Sequence, residues 1–395
     1  MMSRSPEQHL AEISALLPPQ KSTFVNLREA LGRRTFSAVT AQWDSPRFDN
    51  SQMDGFALGP SHLNGGTFAV GPTIPAGHDP DQWYPRGIEK DIAPIMTGAR
   101  LPKNTAAIIP VEKTTPGNFD APQVEIPATP QGQFIRLQGS DITAGDEIIP
   151  AGTELNSVHI GVLASQSIKS IEVAAKPRVL IITGGSEISE QHGPATIPDA
   201  NGPLLRSLCA RNNIEVIAGL HTNDDPERLR FELENAIDQY QPDVIITSGG
   251  ISHGKFEVFR QILEGTPNSW FGHVDQQPGG PQGISTFAET PVISLPGNPI
   301  STLVSFTLFV APALNRQPLR HLDARITAPV QGLQDNREQF LRGTISYRNG
   351  HVLATPLLGT SSHLLVQAAT ADCLIRIPAR TTVEENDIVK IYPFN

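Results

Sequence analysis

The chain is poor in the residues that mark several protein classes. Only two of its 395 residues are cysteines, Cys209 and Cys373, and they lie far apart. That count excludes a disulfide-stapled secreted scaffold, and no Cys/His cluster has zinc spacing, so two isolated thiols fit a reducing cytosol. Basic residues are also in deficit, with 30 Lys and Arg against 40 Asp and Glu and a formal charge of −10. This balance excludes a broad nucleic-acid or anionic-membrane surface, and any anion site has to be built locally. Long apolar runs are missing too. The longest apolar helix candidate, Thr302 to Leu314, is too short to span a bilayer and contains Ser305 and Thr307, and no apolar signal core follows Pro6. A cytoplasmic protein without membrane insertion is expected.

What is present describes a large, loop-rich globular chain. Hydrophobic residues at 38% and charged ones at 18% suit a soluble protein, and 35 Pro with 33 Gly imply many turns and short elements. The length exceeds one ordinary core, so two to four domains of roughly 100–200 residues are expected. Ser5, Pro6 and Gln8 form a capping-box start for a first helix, whose stripe of Leu10, Ile13, Leu16 and Leu17 ends at Pro18-Pro19. From Trp43 to about Gln138 short apolar runs are broken by Gly and Pro, which reads as a β-rich module. A turn around Gly145 and a helix from Val158 to Ser165 return to the first region. This organisation gives an N-terminal helical domain (1–43 and 139–176) with the β-rich module (44–138) inserted into it.

From Arg178 strand and helix alternate in the manner of a parallel sheet. Val179 to Ile182, Val216 to Leu220, Val244 to Ile246 and Val292 to Leu295 read as strands, with helices at Pro203 to Asn212, Pro226 to Tyr240 and Lys255 to Leu263. Their β-branched runs are those of strands buried on both faces. The ends at Thr183, Thr247 and Leu295 open into glycine-bearing loops, and Asn298 with Pro299 starts the apolar helix, so a ligand cleft along the carboxyl edge is expected. After Arg320 the chain is β-rich again, with Asn349-Gly350 as a hairpin turn. The fold class is therefore multidomain α/β: a three-layer α/β/α domain with a mostly parallel sheet (177–320), the helical domain, the inserted module, and a small C-terminal β-barrel (321–395).

Four clusters carry candidate chemistry: Phe48-Asp-Asn-Ser-Gln-Met-Asp-Gly-Phe56, Ile95-Met-Thr-Gly-Ala-Arg-Leu-Pro102, the Thr247 to Gly254 loop, and Leu295-Pro-Gly-Asn-Pro-Ile-Ser301. Together they resemble the MoeA-type molybdopterin molybdenumtransferase family, whose eukaryotic relative is the C-terminal domain of gephyrin. The resemblance covers essentially the whole chain. It implies an elongated homodimer with the cleft between the α/β domain of one subunit and the β-rich module of the other. It also implies a reaction in which adenylylated molybdopterin and molybdate give molybdenum cofactor, with Mg2+ assisting cleavage of the adenylate. On that basis Asp54, Thr97, Lys255 and Ser301 are the catalytic candidates. Ser248, Gly249, Gly250, Ser252, Pro296, Gly297, Asn298, Arg337, Arg342 and Ser361 are the candidates for binding the molybdopterin-type ligand and molybdate. Asp49, Asp54 and Glu187 are the metal candidates, Ser51 is a phosphate donor, and Glu112 and Asp141 match acidic positions. Asp, Asn and Ser before Gly also build Asx-turns, which is the structural alternative for the first cluster.

The departures from the family pattern fall on charged positions. The family carries Ser-Thr-Gly-Asp-Glu after the first strand, where Thr183-Gly-Gly-Ser-Glu187 puts Ser186 in place of the acid. Lys255 stands where an acid is usual, and the Lys-Pro-Gly-Lys-Pro segment becomes Gln277-Pro-Gly-Gly-Pro281. Two cations are thereby lost at an oxyanion site, where charged hydrogen bonds contribute roughly 1.5–3 kcal/mol each, although His253 and Lys255 offer partial replacement. Two functions of different class follow. One is a transferase with an altered site. The other is a gephyrin-like dimeric scaffold that binds a peptide tail of a partner, such as a membrane receptor or a cytoskeletal or cell-division protein. A third, weaker reading is a carrier that retains molybdopterin without chemistry.

Overall fold

Ser5 opens the first helix, α1 (Pro6–Leu16), with a reciprocal cap: the Gln8 N–H donates to Ser5 Oγ at 3.2 Å and the Ser5 N–H donates to Gln8 Oε1 at 2.9 Å. The computed structural model describes residues 3–185, 188, 194, 196–222, 225–251 and 257–394. The chain forms two compact units, Met1–Gln20 with Ala175–Asn395, and Lys21–Ala174. Residues 1–20 therefore join the α/β unit and not, as their place in the sequence suggested, residues 139–176. The reason is burial. Ile13 is wholly enclosed in the core shared with Val179, Ile181, Val304 and Phe309, and Leu10, Leu16 and Leu17 pack on the same cluster.

The α/β unit is built on β1 (Arg178–Gly184), β2 (Glu215–Thr222), β3 (Val244–Ser248), β4 (Trp270–His273), β5 (Pro281–Phe287) and β6 (Thr290–Leu295). They form one six-stranded sheet in the order β2-β1-β3-β6-β5-β4. The first four of that order run parallel; β5 runs antiparallel to β6, and β4 antiparallel to β5. Side chains alternate between two cores, as period 2 requires. Val179, Ile181, Val244, Ile246, Ile293 and Leu295 face α1, α2 (Asn201–Arg211) and α5 (Pro299–Ser305). Leu180, Ile182, Ile245 and Val292 face α3 (Pro226–Tyr240) and α4 (Val258–Leu263). Each fully buried Ile, Leu or Val contributes about 1.5–3 kcal/mol, so a strand apolar on both sides can only sit between two layers. Cys209 and Cys373 are both buried and unpaired.

The apolar run after Pro299 is not one uniform α-helix. Phe306–Val310 is a π-helical turn between α5 and a short helix at Ala311–Asn315. Pro312 supplies no N–H and its ring opposes the carbonyl four residues earlier, so the wider turn falls just ahead of it. Beyond it, β7 (Leu322–Ile326), β8 (Glu338–Arg348), β9 (His351–Pro356), β10 (Cys373–Ile377) and β11 (Ile388–Pro393) close in the order β8-β9-β7-β11-β10-β8. This is a five-stranded barrel. Asn349 and Gly350 both have positive φ, 51° and 78°, and register Arg348 opposite His351, which is the two-residue hairpin their sequence specifies.

In the second unit Ser22–Asn26 pairs with Ser170–Ala174, and Val39–Thr40 pairs with Glu147–Ile149. These pairings bring the two flanking segments together and leave residues between them as a β-rich insertion. Its centre is a three-stranded sheet with Gly55–Leu58 between Ala93–Ile95 and Ala107–Pro110. The helix Ser157–Ser165 starts at Asn156, whose side chain accepts from Val158 and His159 N–H groups. No helix among the described residues is long and apolar enough to cross a membrane.

Candidate functional site

The carboxyl ends of β1, β3 and β6 open into a cleft of about 1010 Å³ within the α/β unit. Its walls come from Thr183–Gly185, Pro198–Asn201, Ser248–Ile251, Gln276–Pro281, Pro296–Pro299 and the barrel loop Thr360–His363. Parallel strands with helices on both faces leave their carboxyl edge uncovered, so the cleft follows from the topology.

Two glycine loops meet at its floor. Gly249 has φ +97°, a region closed to most side chains, and a Cβ there would sit 3.0 Å from the Gly184 carbonyl oxygen. A Cβ on Gly297 would sit 3.3 Å from Gly249 Cα. The backbones therefore touch. Ser248 is buried, and its hydroxyl donates to the Pro296 carbonyl at 3.2 Å and lies 3.2 Å from Thr302 Oγ1. Its side chain holds the 296–298 loop in place, and Gly249 and Gly250 carry the backbone along the cleft. Ser301 is buried at the start of α5 on the cleft wall, and Asn298 is exposed beside Gly297.

Asp199 and Asn201 are site residues that the sequence reading did not single out. Asp199 Oδ1 accepts the N–H groups of Asn201 and Gly202, each at 3.0 Å, and its Oδ2 accepts from the Thr183 hydroxyl at 2.8 Å. One carboxylate thus starts α2 and ties it to the tip of β1. Asn201 Nδ2 donates to the Gly297 carbonyl at 2.6 Å, which joins α2 to the second glycine loop. The short pattern Asp199-Ala200-Asn201-Gly202 ahead of a helix is a cap signature that could have drawn attention to them.

The arginines differ from each other. Arg337 is exposed at the cleft, and its guanidinium is held by Asp335 at 3.0 Å and 2.7 Å, which raises its pKa. Arg342 is 3% exposed and points inward. It donates to the Leu364 carbonyl at 2.8 Å and to the Gly359 carbonyl, so it pins both ends of the loop that carries Thr360 to His363. The expected oxyanion clamp is thus, in its contacts, a loop anchor. Ser361 is exposed in that loop.

Gln277 and Gly280 belong to a wall made of amides. Gln276 Nε2 donates to the carbonyls of Pro278 and Gly279 at 3.2 and 3.1 Å, and Gln282 Nε2 donates to Gly279 O at 2.7 Å and Ser305 Oγ at 2.6 Å. Buried donors are spent on buried carbonyls, which fixes the Gly279 turn.

Asp49, Ser51, Asp54 and Thr97 stand in the unit of residues 21–174, where they form a local cluster. The Thr97 N–H and hydroxyl donate to Asp54 Oδ1 at 2.6 and 2.8 Å, and these two bonds hold the Asp54 carboxyl below the usual carboxylate range. Asp49 Oδ1 accepts from the Gln138 N–H at 2.7 Å, and Ser51 donates to the Met53 carbonyl at 2.6 Å. The Ser51 contact is a local turn bond, whereas Asp49 reaches the backbone of a segment distant in sequence. Glu112 and Asp141 are exposed. Ser186, Glu187, Ser252, His253 and Lys255 lie outside the described residues. Among the described residues no three His, Cys, Asp or Glu side chains stand together as a metal site. Asp49, Asp54 and Asp199 each accept donors from the protein.

Residues 4–167 match the model of the MoeA N-terminal region (domain I and II), residues 180–316 that of a probable molybdopterin binding domain, and residues 332–394 that of the MoeA C-terminal region (domain IV). The chain is 32% identical over 398 aligned positions to molybdopterin molybdenumtransferase 2 of Mycobacterium tuberculosis, covering 95% of each chain. It is 29% identical over 391 positions to the molybdopterin molybdenumtransferase of Haemophilus influenzae, again covering 95% of each. The crystal structure of a molybdopterin biosynthesis MoeA protein from Pyrococcus horikoshii superposes with a TM-score of 0.82 at 26% identity and covers 100% of both chains.

Proposed function

Because the chain belongs to the MoeA-type molybdopterin molybdenumtransferase family, we propose that it acts in molybdenum cofactor biosynthesis, inserting molybdate into adenylylated molybdopterin with release of AMP. The observation that carries this reading is a coincidence of place. The three strand-tip loops that build the cleft all fall within residues 180–316, the segment similar to a molybdopterin binding domain. A cleft of about 1010 Å³ is at the upper end of small-molecule sites and suits a pterin joined to a nucleotide.

The chain's own residues have definable tasks in this reading. Gly249 and Gly297 keep the strand-tip loops close and their backbone open to the ligand's phosphates, since a Cβ on Gly249 would crowd the Gly184 carbonyl and one on Gly297 would crowd Gly249. Asp199 and Asn201 hold the loops of β1 and β6 in register through Thr183 and Gly297. Arg342 fixes the loop that brings the Ser361 hydroxyl to the cleft. Ser301 lines the same wall. No step is routed through a metal ion. A cytoplasmic homodimer is part of the same proposal, and sedimentation of the purified chain tests the dimer.

The test is a single turnover with adenylylated molybdopterin and molybdate, following AMP and the molybdenum-bearing product together. Equal amounts of both, each stoichiometric with protein, are expected. A second reading, the peptide-binding scaffold, is favoured by one feature: Gln277 and Gly280 leave that wall uncharged. Absence of both products together with micromolar binding of a partner peptide would replace the first reading by the second.

A further inference from the structure

The amide wall of the cleft, Gln276 to Pro281, is carried from two sides. On one side it continues from β4, whose His273 carbonyl accepts the Arg4 N–H at 3.1 Å, and the Asp275 N–H donates in turn to the Arg4 carbonyl at 2.8 Å. On the other side Gln276 and Gln277 register in parallel with Glu338 and Gln339 at the start of β8, and the Glu338 N–H donates to the Asp275 carbonyl at 3.0 Å. The base of the wall is therefore a seam between the segment ahead of α1 and the first residues of the barrel.

Arg376 closes that seam from β10. Its Nη2 donates to Glu7 Oε1 at 2.6 Å and to Glu338 Oε1 at 2.8 Å and lies 2.6 Å from Glu338 Oε2, while its Nη1 donates to the Tyr392 hydroxyl at 3.5 Å. One guanidinium thus joins α1, β8, β10 and β11. The Arg376 and Glu338 side chains are only 21% and 20% exposed, which sets this pair apart from freely solvated surface ion pairs. On the same face of β10, Leu374 packs in the core that also holds Ile13 of α1, Phe340 and Tyr392. Apolar contact of this kind holds the barrel against the α/β layers, but it is not directional and leaves the angle between them soft. Charged hydrogen bonds to a carboxylate do have direction. Because the cleft is lined both by α/β loops and by the barrel loop Thr360–His363, that angle sets its width.

We propose that Arg376, which is not among the described residues lining the cleft, is a positioning residue for the reaction. Through Glu338 it sets the wall Gln276 to Pro281, and through Glu7 it couples that setting to the seating of α1. The inference rests on the reading above for the identity of the reaction, whereas the placing of the wall stands on the contacts alone. The named partners of Arg376 lie outside the three strand-tip loops, so ligand binding should outlast its loss while orientation for reaction should not.

The experiment compares wild type, Arg376→Met, Arg376→Lys and Glu338→Gln as full chains, by amide exchange and by single turnover with adenylylated molybdopterin and molybdate. Arg376→Met should speed exchange over residues 276–281 by about tenfold or more and leave Val179 to Ile182 unchanged. Its single-turnover rate at saturation should fall at least about tenfold, as misplaced orienting groups cost, while the half-saturating concentration shifts by less than about threefold. Glu338→Gln should reproduce both effects, and combining it with Arg376→Met should add little to either. Arg376→Lys should recover the rate in part, because one ammonium keeps the charge but cannot reach Glu7, Glu338 and Tyr392 together. The inference is overturned if exchange over 276–281 is unchanged in folded Arg376→Met, if the saturated rate stays at the wild-type value, or if Arg376→Lys is no better than Arg376→Met. Should Arg376→Met fail to fold, Arg376→Lys and Glu338→Gln carry the same readouts. Wild type without product sinks the transferase reading alone, since exchange over 276–281 needs no turnover and still decides whether Arg376 sets the wall.

Discussion

His9 makes the sharpest stability prediction. Its ring is wholly buried, 5.3 Å from Trp270 and 4.9 Å edge-on to Phe309 between centroids, and neither ring nitrogen has a partner. Burial, reinforced by the Arg4 charge, pushes its pKa down from the ordinary 6.5 to about 3. Above pH 6.5 both folded and unfolded chains hold a neutral imidazole, so the group adds no pH dependence. As the pH falls below 6.5 the unfolded chain binds a proton that the folded chain refuses, and stability drops at about 1.4 kcal/mol per pH unit until pH about 3. Between pH 6.5 and 4.5 that is about 2.7 kcal/mol. The perturbation is His9→Leu, close in volume and apolar, which should change stability at pH 7 by less than about 1.5 kcal/mol. Urea unfolding followed by Trp270 fluorescence, with Trp43 and Trp83 replaced by Phe, reports the unit that contains His9. At pH 4.5 the leucine variant should exceed wild type by about 2–3 kcal/mol relative to their difference at pH 7. Parallel loss of stability in both proteins would refute the buried neutral imidazole.

Other consequences are equally checkable. Arg342→Met removes two donors and strands the Gly359 and Leu364 carbonyls, so a loss of about 2–3 kcal/mol and faster amide exchange over residues 359–364 are expected by mass spectrometry. Unchanged exchange there would exclude the anchoring role. Gly297→Ala forces a Cβ to 3.3 Å from Gly249 Cα; it should cost about 1 kcal/mol in thermal unfolding but weaken molybdopterin binding at least about tenfold. Cys209 and Cys373, pushed up to about 12 by burial, should resist alkylation at pH 8 until the chain unfolds. Rapid labelling of the native protein would show that these thiols are accessible.

Much of the fold was legible because the local signals agree with the tertiary solution. The run Val179 to Ile182 is apolar at every position, which only a strand covered on both faces tolerates. Ser5 with Gln8 and Asn349 with Gly350 specify a helix start and a hairpin by backbone chemistry alone. The strand Ser22–Asn26 was illegible for the opposite reason: three of its five residues are exposed in succession and Phe24 is 71% exposed, so it shows no alternation. The partner of α1 was illegible because an amphipathic stripe says that a face is buried without saying against what. In the site, the glycines announced the strand-tip loops. The link from Asp199 to Thr183 spans sixteen residues and depends on how the loop folds back. Arg337 and Arg342 look alike in sequence, and only closure of the barrel decides that one reaches the cleft and the other turns inward.

The claim on which the account depends is that the ends of β1, β3 and β6 hold the molybdopterin-type ligand. Hydrogen exchange of the full chain with and without saturating molybdopterin tests it directly. Protection concentrated at Thr183–Gly185, Ser248–Ile251 and Gly297–Asn298, and absent from the barrel strand Ile388–Pro393, is the predicted result. Ligand binding with no protection at these three loops would contradict it.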